Sequence, residues 1–521
     1  MVDSIFGMNL FEEDWGIFNP SRKNETALKA FLGPNGLLLR TACDLVANKV
    51  RLHFNHDVLP KAMQNNLIAS TGFYDNLVEL NENRTEIVNF SINPFEYYMV
   101  CFASAGVQVY FEVSVDLDNE QDNGTISFYQ TLATEYFNMY LPTSPTAEIV
   151  PCMSNESMRP YRKNTPETPV LCLPILGIFE SLTHKPNISF FDVEDFRVES
   201  VLRFFMDIWF CNDIKSTKDL PSAYFLKLQR EFIKHISAFS IPYKDEGLHM
   251  ICVRENSLYL LKNRFHSYIW KLFRYWPLDK TYIFVLKLWL RYLEPWAAEA
   301  NNQENGDSGE EEDEEQSQAQ LGSTFIWNER VKNFFKENLT IYTQIFVDVL
   351  PCLEKLDYFS DSNMQMLKMV VDFFGNENFM LKLKETEQFY LNKLNKEQLD
   401  GVYYGIQKKF LMVTQFQDWD QLFVQSEYVP AFHTYTLIMF ERIVKSLYNT
   451  IIDTKMKIID LDTQIDKVSD SKPLLDIFVN TRKSLIRKIE LEMATNTETL
   501  CKLTYILDNL KETIFQVFIN H

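Results

Sequence analysis

The pattern of apolar and polar positions along residues 257–296 predicts two consecutive helices with a sharp turn between them. Apolar residues recur there at steps of three and four, the spacing that places side chains on one side of a helix. They are Leu261, Phe265, Tyr268, Ile269, Leu272 and Trp276 in the first half, and Tyr282, Val285, Leu286, Trp289 and Leu293 in the second. Pro277 and Pro295 end the two helices, since proline lacks the backbone donor that a helix interior needs. Four residues of the second helix are expected on its solvated side: Lys280, Lys287, Arg291 and Glu294.

Helical spacing dominates most of the remaining sequence. It predicts helices over 26–52, with a break at Gly33-Pro34, and over 94–105, 193–210, 222–239, 327–353, 362–374 and 379–394. Residues 107–115 instead alternate apolar and polar side chains, which predicts a strand paired with 125–129. Apolar residues recur at steps of three and four over 437–468 and 503–517, as they do along the seam of a coiled coil. The predicted fold is mainly α, a multi-helix assembly with a small β element near residues 107–130 and a coiled-coil-like C-terminal helical end.

Changes in composition divide the chain into predicted regions. They are an N-terminal helical layer with the β element (1–141), a proline-rich connection (142–195), a central helical region with the 276–279 turn (196–296), an acidic linker (297–324), a helical region (325–420) and a C-terminal long-helix region (421–521). Residues 297–325 contain nine acidic residues and no basic one. We expect the linker to be disordered because like charges repel and little of it is apolar.

The net charge and the arrangement of the cysteines limit which partners and which cellular compartment we expect. The net charge of −20 argues against nucleic acid, whose phosphates need a basic face. The eight cysteines are scattered without a C-x-x-C pair, which indicates reduced thiols in a cytosol-facing protein. The longest apolar run, 97–111, is shorter than the roughly 18 residues that a membrane helix needs, so no transmembrane helix is predicted.

Four short motifs occur in a characteristic order along residues 25–460. The first is Asn93-Pro94-Phe95-Glu96-Tyr97-Tyr98; the second pairs Trp276-Pro277-Leu278-Asp279 with Leu293-Glu294-Pro295-Trp296; the third is Phe335-Lys336-Glu337-Asn338-Leu339-Thr340-Ile341-Tyr342-Thr343; and the fourth is Tyr428-Val429-Pro430-Ala431-Phe432. Together they resemble the sphingomyelin phosphodiesterase 4 family, also called neutral sphingomyelinase 3. Members of that family run longer and end in a hydrophobic membrane anchor, so the resemblance is to a short form without that anchor.

The resemblance implies an activity, a cofactor and a location. The activity is hydrolysis of sphingomyelin to ceramide and phosphocholine, with Mg²⁺ as the implied ion. The implied location is a cytosol-facing membrane surface of the endoplasmic reticulum or nuclear envelope. The predominance of predicted helices supports a competing hypothesis, in which the protein is a non-enzymatic scaffold that binds nuclear-envelope or nuclear-pore proteins. Both remain open at the level of the sequence.

Phosphodiester hydrolysis needs a base for the attacking water and positive charge at the phosphate, commonly from a divalent ion held by carboxylates. Glu96 and Asp279 are the acidic candidates taken from the motifs. Each also has a structural explanation: Glu96 favours the first turn of a helix through the helix dipole, and Asp279 caps exposed amides at a helix start. The catalytic residues and any metal ligands therefore stay unassigned by the sequence.

Other clusters carry weaker signals. His53 and His56 could place two imidazoles toward a metal, or could form a polar surface. Acidic residues cluster at Asp192, Glu194 and Asp195, as is ordinary at helix starts. The basic and aromatic residues of the turn could meet lipid headgroups or form a core stripe with a solvated edge; they are Lys271, Arg274, Tyr275, Trp276, Lys280, Lys287 and Arg291. No nucleophile elbow, phosphate-binding loop or dinucleotide glycine pattern occurs.

Overall fold

The chain forms two compact units, Met1–Trp276 and Pro277–His521, in the computed structural model. The structure describes residues 22–48, 50–59, 61–69, 74, 77–112, 128–143, 193–210, 214–243, 246, 248–298, 325–399, 430–470 and 476–514. The boundary between the units falls at the predicted turn. We call them the N-terminal unit and the C-terminal unit.

The N-terminal unit is helical with one small sheet. Its helices are α1 (Arg22–Leu32), α2 (Leu37–Ala47), α3 (Lys61–Ala69), α4 (Pro94–Glu112), α5 (Phe128–Tyr140), α6 (Val193–Trp209), α7 (Ala223–Phe239) and α8 (Leu248–Tyr275). The predicted break at Gly33-Pro34 is confirmed, because it falls between α1 and α2. α8 ends one residue before Trp276, as the following proline predicts.

Helix α4 packs against α2, α6 and α7, so most of its sides are buried. Met99, Val100, Phe102 and Ala103 have no exposed surface. A helix buried on most sides loses the amphipathic period, and its apolar residues then resemble a strand over a short window. The strand predicted at 107–112 is therefore wrong, since these residues continue α4 and 128–130 begin α5.

Gly106 allows a close approach of α4 and α5; it does not end a helix. A Cβ atom at this position would lie 2.5 Å from Tyr129 Oη. The Tyr129 hydroxyl donates a 2.6 Å hydrogen bond to the Phe102 carbonyl, which fixes the ring against the α4 backbone. The glycine thus reflects packing between helices, a requirement that the sequence pattern alone cannot reveal.

The small β element is confirmed as a sheet, but it lies upstream of the predicted position. Three antiparallel strands form it, β1 (Leu52–His53), β2 (Val78–Leu80) and β3 (Ile87–Ile92), with β3 in the centre. Ile87, Phe90 and Ile92 are buried on β3, while Val88 is exposed. Its β-branched residues were the signal for this strand.

The C-terminal unit consists of helices in its described part. They are α9 (Tyr282–Leu293), α10 (Glu329–Glu354), α11 (Asp361–Phe374), α12 (Glu377–Leu399), α13 (Thr434–Asp470) and α14 (Asp476–Ile514). The Asn328 side chain caps α10 by accepting a 2.9 Å hydrogen bond from the Val331 amide. The helix predicted over 327–353 is confirmed, and the apolar residues that recur along it at helical spacing are buried: Val331, Phe334, Leu339, Tyr342, Phe346 and Leu350.

Helices α13 and α14 confirm the coiled-coil-like end. They pack extensively on each other. Five residues separate them, and five residues span at most about 18 Å, far less than the roughly 55 Å length of either helix. The two helices are therefore antiparallel. Thr454 occupies the one gap in the apolar seam; it is fully buried and donates a 2.7 Å hydrogen bond to the Thr450 carbonyl.

Among the described helices, none is both long and apolar enough to cross a bilayer. Residues 113–127 of the predicted β element, most of the proline-rich connection (144–192) and most of the acidic linker (299–324) lie outside the described residues. So do Tyr428 and Val429 of the fourth motif.

Candidate functional site

The first motif begins α4 with a capping box. The Asn93 side-chain oxygen accepts a 2.8 Å hydrogen bond from the Glu96 amide, and Glu96 Oε2 accepts a 2.9 Å hydrogen bond from the Asn93 amide. Pro94 takes the first helical position, where its missing donor costs nothing. These reciprocal bonds satisfy two amides that a helix start leaves without partners. Glu96 therefore has a clear structural role.

Glu96 is also deeply buried, with 1% of its surface exposed. Burial raises the pKa of its carboxyl group to about 7, against smaller lowering effects of the Asn93 amide and the Arg51 charge. Glu96 Oε1 has no hydrogen-bond partner among the described residues. The neighbouring motif residues are core contacts: Phe95 packs edge-to-face on Tyr140, and Tyr97 packs edge-to-face on Phe54.

Asp279 lies at an exposed turn ahead of α9. Its Oδ1 accepts hydrogen bonds from the Thr281 amide, at 2.8 Å, and from the Thr281 hydroxyl, at 2.5 Å. Pro277 and Leu278 are exposed beside it, whereas Trp276 is buried. These bonds stabilise the turn before α9, whose N-cap is Thr281 without a side-chain cap hydrogen bond, so Asp279 stabilises this turn and does not cap the helix itself. Among the described residues, Asp279 belongs to no group of three or more possible metal ligands.

The two histidines also have separate local partners. His53 Nδ1 lies 2.6 Å from Asn89 Oδ1, across the β1–β3 pair. His56 Nε2 lies 3.6 Å from Asp57 Oδ1 at a short 3₁₀ turn. Within the described ranges, no three His, Cys, Asp or Glu side chains converge as metal ligands would. The side chains at 192–195 lie outside what is described.

The second and third motifs meet in the core of the C-terminal unit. α9 ends at Leu293, and the Tyr342 hydroxyl donates a 2.6 Å hydrogen bond to the Leu293 carbonyl. The Tyr292 hydroxyl donates a 2.6 Å hydrogen bond to Asn338 Oδ1, one helical turn along α10. Arg330 donates a 2.9 Å hydrogen bond to the Pro295 carbonyl. Side chains of α10 thus satisfy carbonyl groups that the end of α9 leaves open.

Trp296 fixes this helix end within an aromatic cluster. Its ring centroid lies 5.0 to 6.3 Å from those of four phenylalanines, Phe325, Phe335, Phe373 and Phe379. The indole is buried, and its Nε1 has no hydrogen-bond partner within the described part of the chain. A buried indole N–H usually finds an acceptor, so the Trp296 donor departs from the usual pattern.

Glu294 sits between Leu293 and Pro295 at the end of α9 and is 4% exposed. Burial raises the pKa of its carboxyl group to about 7, while the positive charge of Arg291 partly lowers it. Burial raises the pKa of the Tyr342 hydroxyl, and the negative charge of the nearby Glu294 raises the pKa of this hydroxyl further. The Glu294 carboxyl makes no hydrogen bond to any described residue. The predicted solvated position of Glu294 is therefore wrong.

The position of Glu294 is unusual for a structural carboxylate. The C-terminal end of a helix carries partial negative charge, so a nearby carboxylate is disfavoured there. A carboxyl group with a pKa near 7 can bind and release a proton at neutral pH, and the adjacent guanidinium is suited to bind a phosphate. Desolvation combined with a specific charged neighbour is typical of functional sites.

Burial of Glu294 could not be predicted from the sequence, because the helical period places this residue on the polar side of α9. That period stops at Leu293, and the chain direction changes at Pro295. The sequence feature that could have identified Glu294 is its position inside a motif, between an apolar helix and the Pro295-Trp296 pair.

The residues around Glu294 do not fit Mg²⁺. This ion prefers octahedral oxygen ligands, usually including one or two carboxylates. Among the described residues, the Glu294 neighbourhood offers one carboxyl group, and the guanidinium of Arg291 beside it repels a cation; the other side chains there are tyrosines and an aromatic cluster.

A model of the family described as "Mitochondrial-associated sphingomyelin phosphodiesterase" matches residues 3–215 and 230–472 of this chain. The chain belongs to this family. The resemblance inferred from the four motifs is thus confirmed. Glu96, Asp279 and Glu294 all lie within the matched segments of this sphingomyelin phosphodiesterase family.

Curated relatives carry a consistent name. Sphingomyelin phosphodiesterase 4 of Mus musculus is 24% identical over 460 residues, covering 75% of this chain and 53% of the mouse protein. The protein of the same name from Homo sapiens is 23% identical over 462 residues, covering 75% and 51%, respectively. That of Danio rerio is 22% identical over 429 residues. The chain therefore spans about half the length of the curated relatives it matches. No solved structure matches it significantly.

Proposed function

We propose that this chain hydrolyses the phosphodiester of sphingomyelin, releasing phosphocholine and ceramide. The single observation that carries the proposal is the position of Glu294, a buried carboxyl group with a pKa of about 7 at the C-terminal end of α9, beside Arg291. The family match and the names of the relatives support the choice of a sphingolipid phosphodiester as substrate.

In the proposed reaction, ionised Glu294 accepts a proton from water as the water oxygen attacks phosphorus. The bond between phosphorus and the ceramide oxygen breaks, and the proton passes to that oxygen. Arg291 binds the phosphate and counters the charge that develops in the transition state. A pKa of about 7 leaves close to half of Glu294 ionised at neutral pH, which suits a general base.

Tyr342 and Trp296 position the base. The Tyr342 hydroxyl fixes the carbonyl of Leu293, the residue before Glu294. The aromatic cluster holds Trp296 two residues beyond it. A base attached to rigid elements keeps its geometry during the reaction.

We propose the cytosol-facing surface of the endoplasmic reticulum or nuclear envelope as the place of action. Dependence on Mg²⁺ is a separate proposal, made from the family resemblance. Measuring phosphocholine release from sphingomyelin vesicles with added Mg²⁺ and with a chelator tests this dependence directly. Because the Glu294 neighbourhood does not fit this ion, loss of activity with chelator would locate the ion elsewhere in the chain.

The test measures phosphocholine release from sphingomyelin vesicles by the purified 521-residue chain and by Glu294→Gln. Glutamine keeps the shape and burial of the side chain but cannot accept the proton. We expect the rate to fall by about 100-fold or more, as for loss of a general base.

Glu96→Gln is the matched control, because Glu96 is equally buried and has a similar pKa. Glutamine can also complete a capping box, so the fold is preserved. We expect wild-type activity from this variant. Equal loss in both variants, or full activity of Glu294→Gln, would reject Glu294 as the base.

The second candidate function is a non-enzymatic scaffold for nuclear-envelope or nuclear-pore proteins. It is favoured by large apolar residues exposed on the long helices, such as Tyr448, Met456 and Leu491. A folded wild-type chain that releases no phosphocholine under any lipid or ion condition would make this function the better conclusion.

A further inference from the structure

Helix α13 carries a line of exposed apolar side chains along its outer side. Tyr448, Ile452, Met456 and Ile459 follow at steps of four, four and three, so they lie on one side of the helix. Ile438 extends the line toward the N-terminus. The exposed fractions are 54% for Tyr448, 42% for Ile452, 55% for Met456, 58% for Ile459 and 41% for Ile438. We call these five residues the outer stripe.

The opposite side of α13 already forms the contact with its own unit. Ile443 precedes Ile452 by nine residues, and Leu447 precedes Met456 by nine; nine residues are two and a half turns, which reverses the direction of the side chain. Ile443 and Leu447 are fully buried. A helix on the surface of a globular protein needs one apolar side, and α13 has two. An exposed apolar side such as the outer stripe is typical of a surface that binds a partner.

The far end of the α13–α14 pair has little burial of its own. From residue 455 to the end of α13, Leu461 is the only residue buried among those described, and Ile489 is the only one between residues 483 and 502 of α14. Two helices that cover only each other leave most of their surface in water. Packing against further helices would complete a bundle core.

We propose that the outer stripe binds the outer stripe of a second copy of this chain, with the two α13 helices antiparallel. The charges at the two ends of the stripe support this occupant. The N-terminal flank carries Lys445 beside Glu441 and Arg442, and Arg442 forms a 3.7 Å ion pair with Glu354 of its own unit. The C-terminal flank is acidic, since Asp460, Asp462, Asp466 and Lys467 sum to −2. Antiparallel pairing places Lys445 of each copy beside the acidic flank of the other copy.

The register of the pairing follows from the centre of the stripe. Tyr448 and Ile459 are symmetric about a point between residues 453 and 454, and so are Lys445 and Asp462. A two-fold axis at this point brings Ile452 of one copy near Met456 of the other and the opposite charges toward each other. Such a self-complementary contact is the normal form of a homodimer interface.

The size of the stripe suits a modest dimer interface. A large side chain has roughly 200 Å² of surface, so five that are about half exposed offer on the order of 500 Å² per copy. A standard interface buries about 800 Å² per partner. The flanking charged side chains can supply the remainder, and a dimer of micromolar affinity is expected.

A lipid surface fits the stripe less well. Helices that lie in a membrane interface carry lysine and arginine along the polar side, which attracts anionic headgroups. On α13 the C-terminal flank of the stripe is acidic, and such charges are repelled by anionic lipid. The mixed charge is better matched by a second copy of the same helix.

The test is sedimentation equilibrium of the full 521-residue chain over a range of concentrations. One chain has a mass of 61.4 kDa, and we expect wild type to approach twice that mass at tens of micromolar. Ile452→Glu places a charge at the centre of the stripe and should abolish the increase, with helix content unchanged by circular dichroism. Leu491→Glu is the matched control, since Leu491 is 70% exposed on α14 outside the stripe. It should associate as wild type does.

Charge reversal tests the orientation. Lys445→Glu and Asp462→Lys should each weaken association at least several-fold at low salt, and the double variant should restore it. Absence of restoration would overturn the antiparallel arrangement. A single-chain mass for wild type at 100 µM, or equal effects of Ile452→Glu and Leu491→Glu, would overturn the dimer. So would an Ile452→Glu variant that loses binding to lipid vesicles while wild type stays monomeric.

Discussion

Glu96 and Glu294 are two buried glutamates whose pKa is raised to about 7, yet they lie at opposite ends of their helices. Glu96 occupies the first turn of α4, where the helix dipole favours a carboxylate and two reciprocal hydrogen bonds engage it. Glu294 follows the last turn of α9, where the dipole disfavours it and no described residue bonds its carboxyl group. Burial raises both pKa values, but the two carboxyl groups differ in their place on the helix and in their hydrogen bonds. A structural explanation accounts for Glu96, whereas function accounts best for Glu294.

The largest effect after replacement of Glu294 itself is expected at Arg291. Arg291→Gln should reduce phosphocholine release by about 100-fold, as for the loss of one donor to a developing charge. The positive charge of Arg291 lowers the pKa of Glu294, so its removal should also move the midpoint of the pH–rate profile upward. Arg51, which lowers the pKa of Glu96, provides the control. A comparable loss of activity in Arg51→Gln would remove the distinction between the two glutamates.

The pH dependence of stability should be shared by the two glutamates. A change in pKa from 4.5 in the unfolded chain to about 7 in the folded chain corresponds to about 3 kcal/mol for each group. The folded state binds the extra proton between these values, so the free energy of unfolding should decrease as pH rises from about 4.5 to 7. Urea unfolding at pH 5 and pH 8 checks this, and each Glu→Gln variant should show a smaller decrease.

Asn93→Ala and Tyr342→Phe each remove one hydrogen bond beside one of the glutamates. Each should destabilise the protein by about 1 kcal/mol. Tyr342→Phe should in addition lower the turnover number by several-fold with little change in KM, because the helix end that carries Glu294 loses a contact. Asn93→Ala should leave turnover unchanged. Reduced turnover in Asn93→Ala alone would place the active site in the N-terminal unit.

The smallest effect is expected at Asp279, the other candidate taken from the motifs. Its hydrogen bonds lie at an exposed turn, so Asp279→Ala should cost about 0.5 kcal/mol or less and leave phosphocholine release unchanged. Thermal unfolding and the vesicle assay measure the two quantities. A large loss of activity without a loss of stability would restore Asp279 as a catalytic candidate.

Features of the fold that depend on local sequence could be predicted. Pro277 and Pro295 mark helix ends because they act within a few residues, and the stripe of α10 follows the helical period. The apolar seam of the C-terminal helices also belongs to this class. The strand predicted at 107–112 failed because α4 is buried on most sides, and Gly106 reflects contact with a tyrosine more than twenty residues away.

The candidate site was harder to predict, because it depends on contacts between distant segments. The place of Glu96 in the first turn of a helix could be predicted from the sequence, whereas its reciprocal hydrogen bonds with Asn93 were seen only in the structure. Burial of Glu294 depends on Tyr342 and on the phenylalanines around Trp296, which come from α10, α11 and α12. Periodicity along α9 contains no information about those contacts.

The most direct test of the central claim, that Glu294 is the catalytic base, is the pH dependence of phosphocholine release by the wild-type chain and by Glu96→Gln. A base must be ionised, so the rate should rise with pH through a single midpoint near 7, and that midpoint should be the same in both proteins. A midpoint near 4.5, or one that is lost in Glu96→Gln, would contradict the assignment.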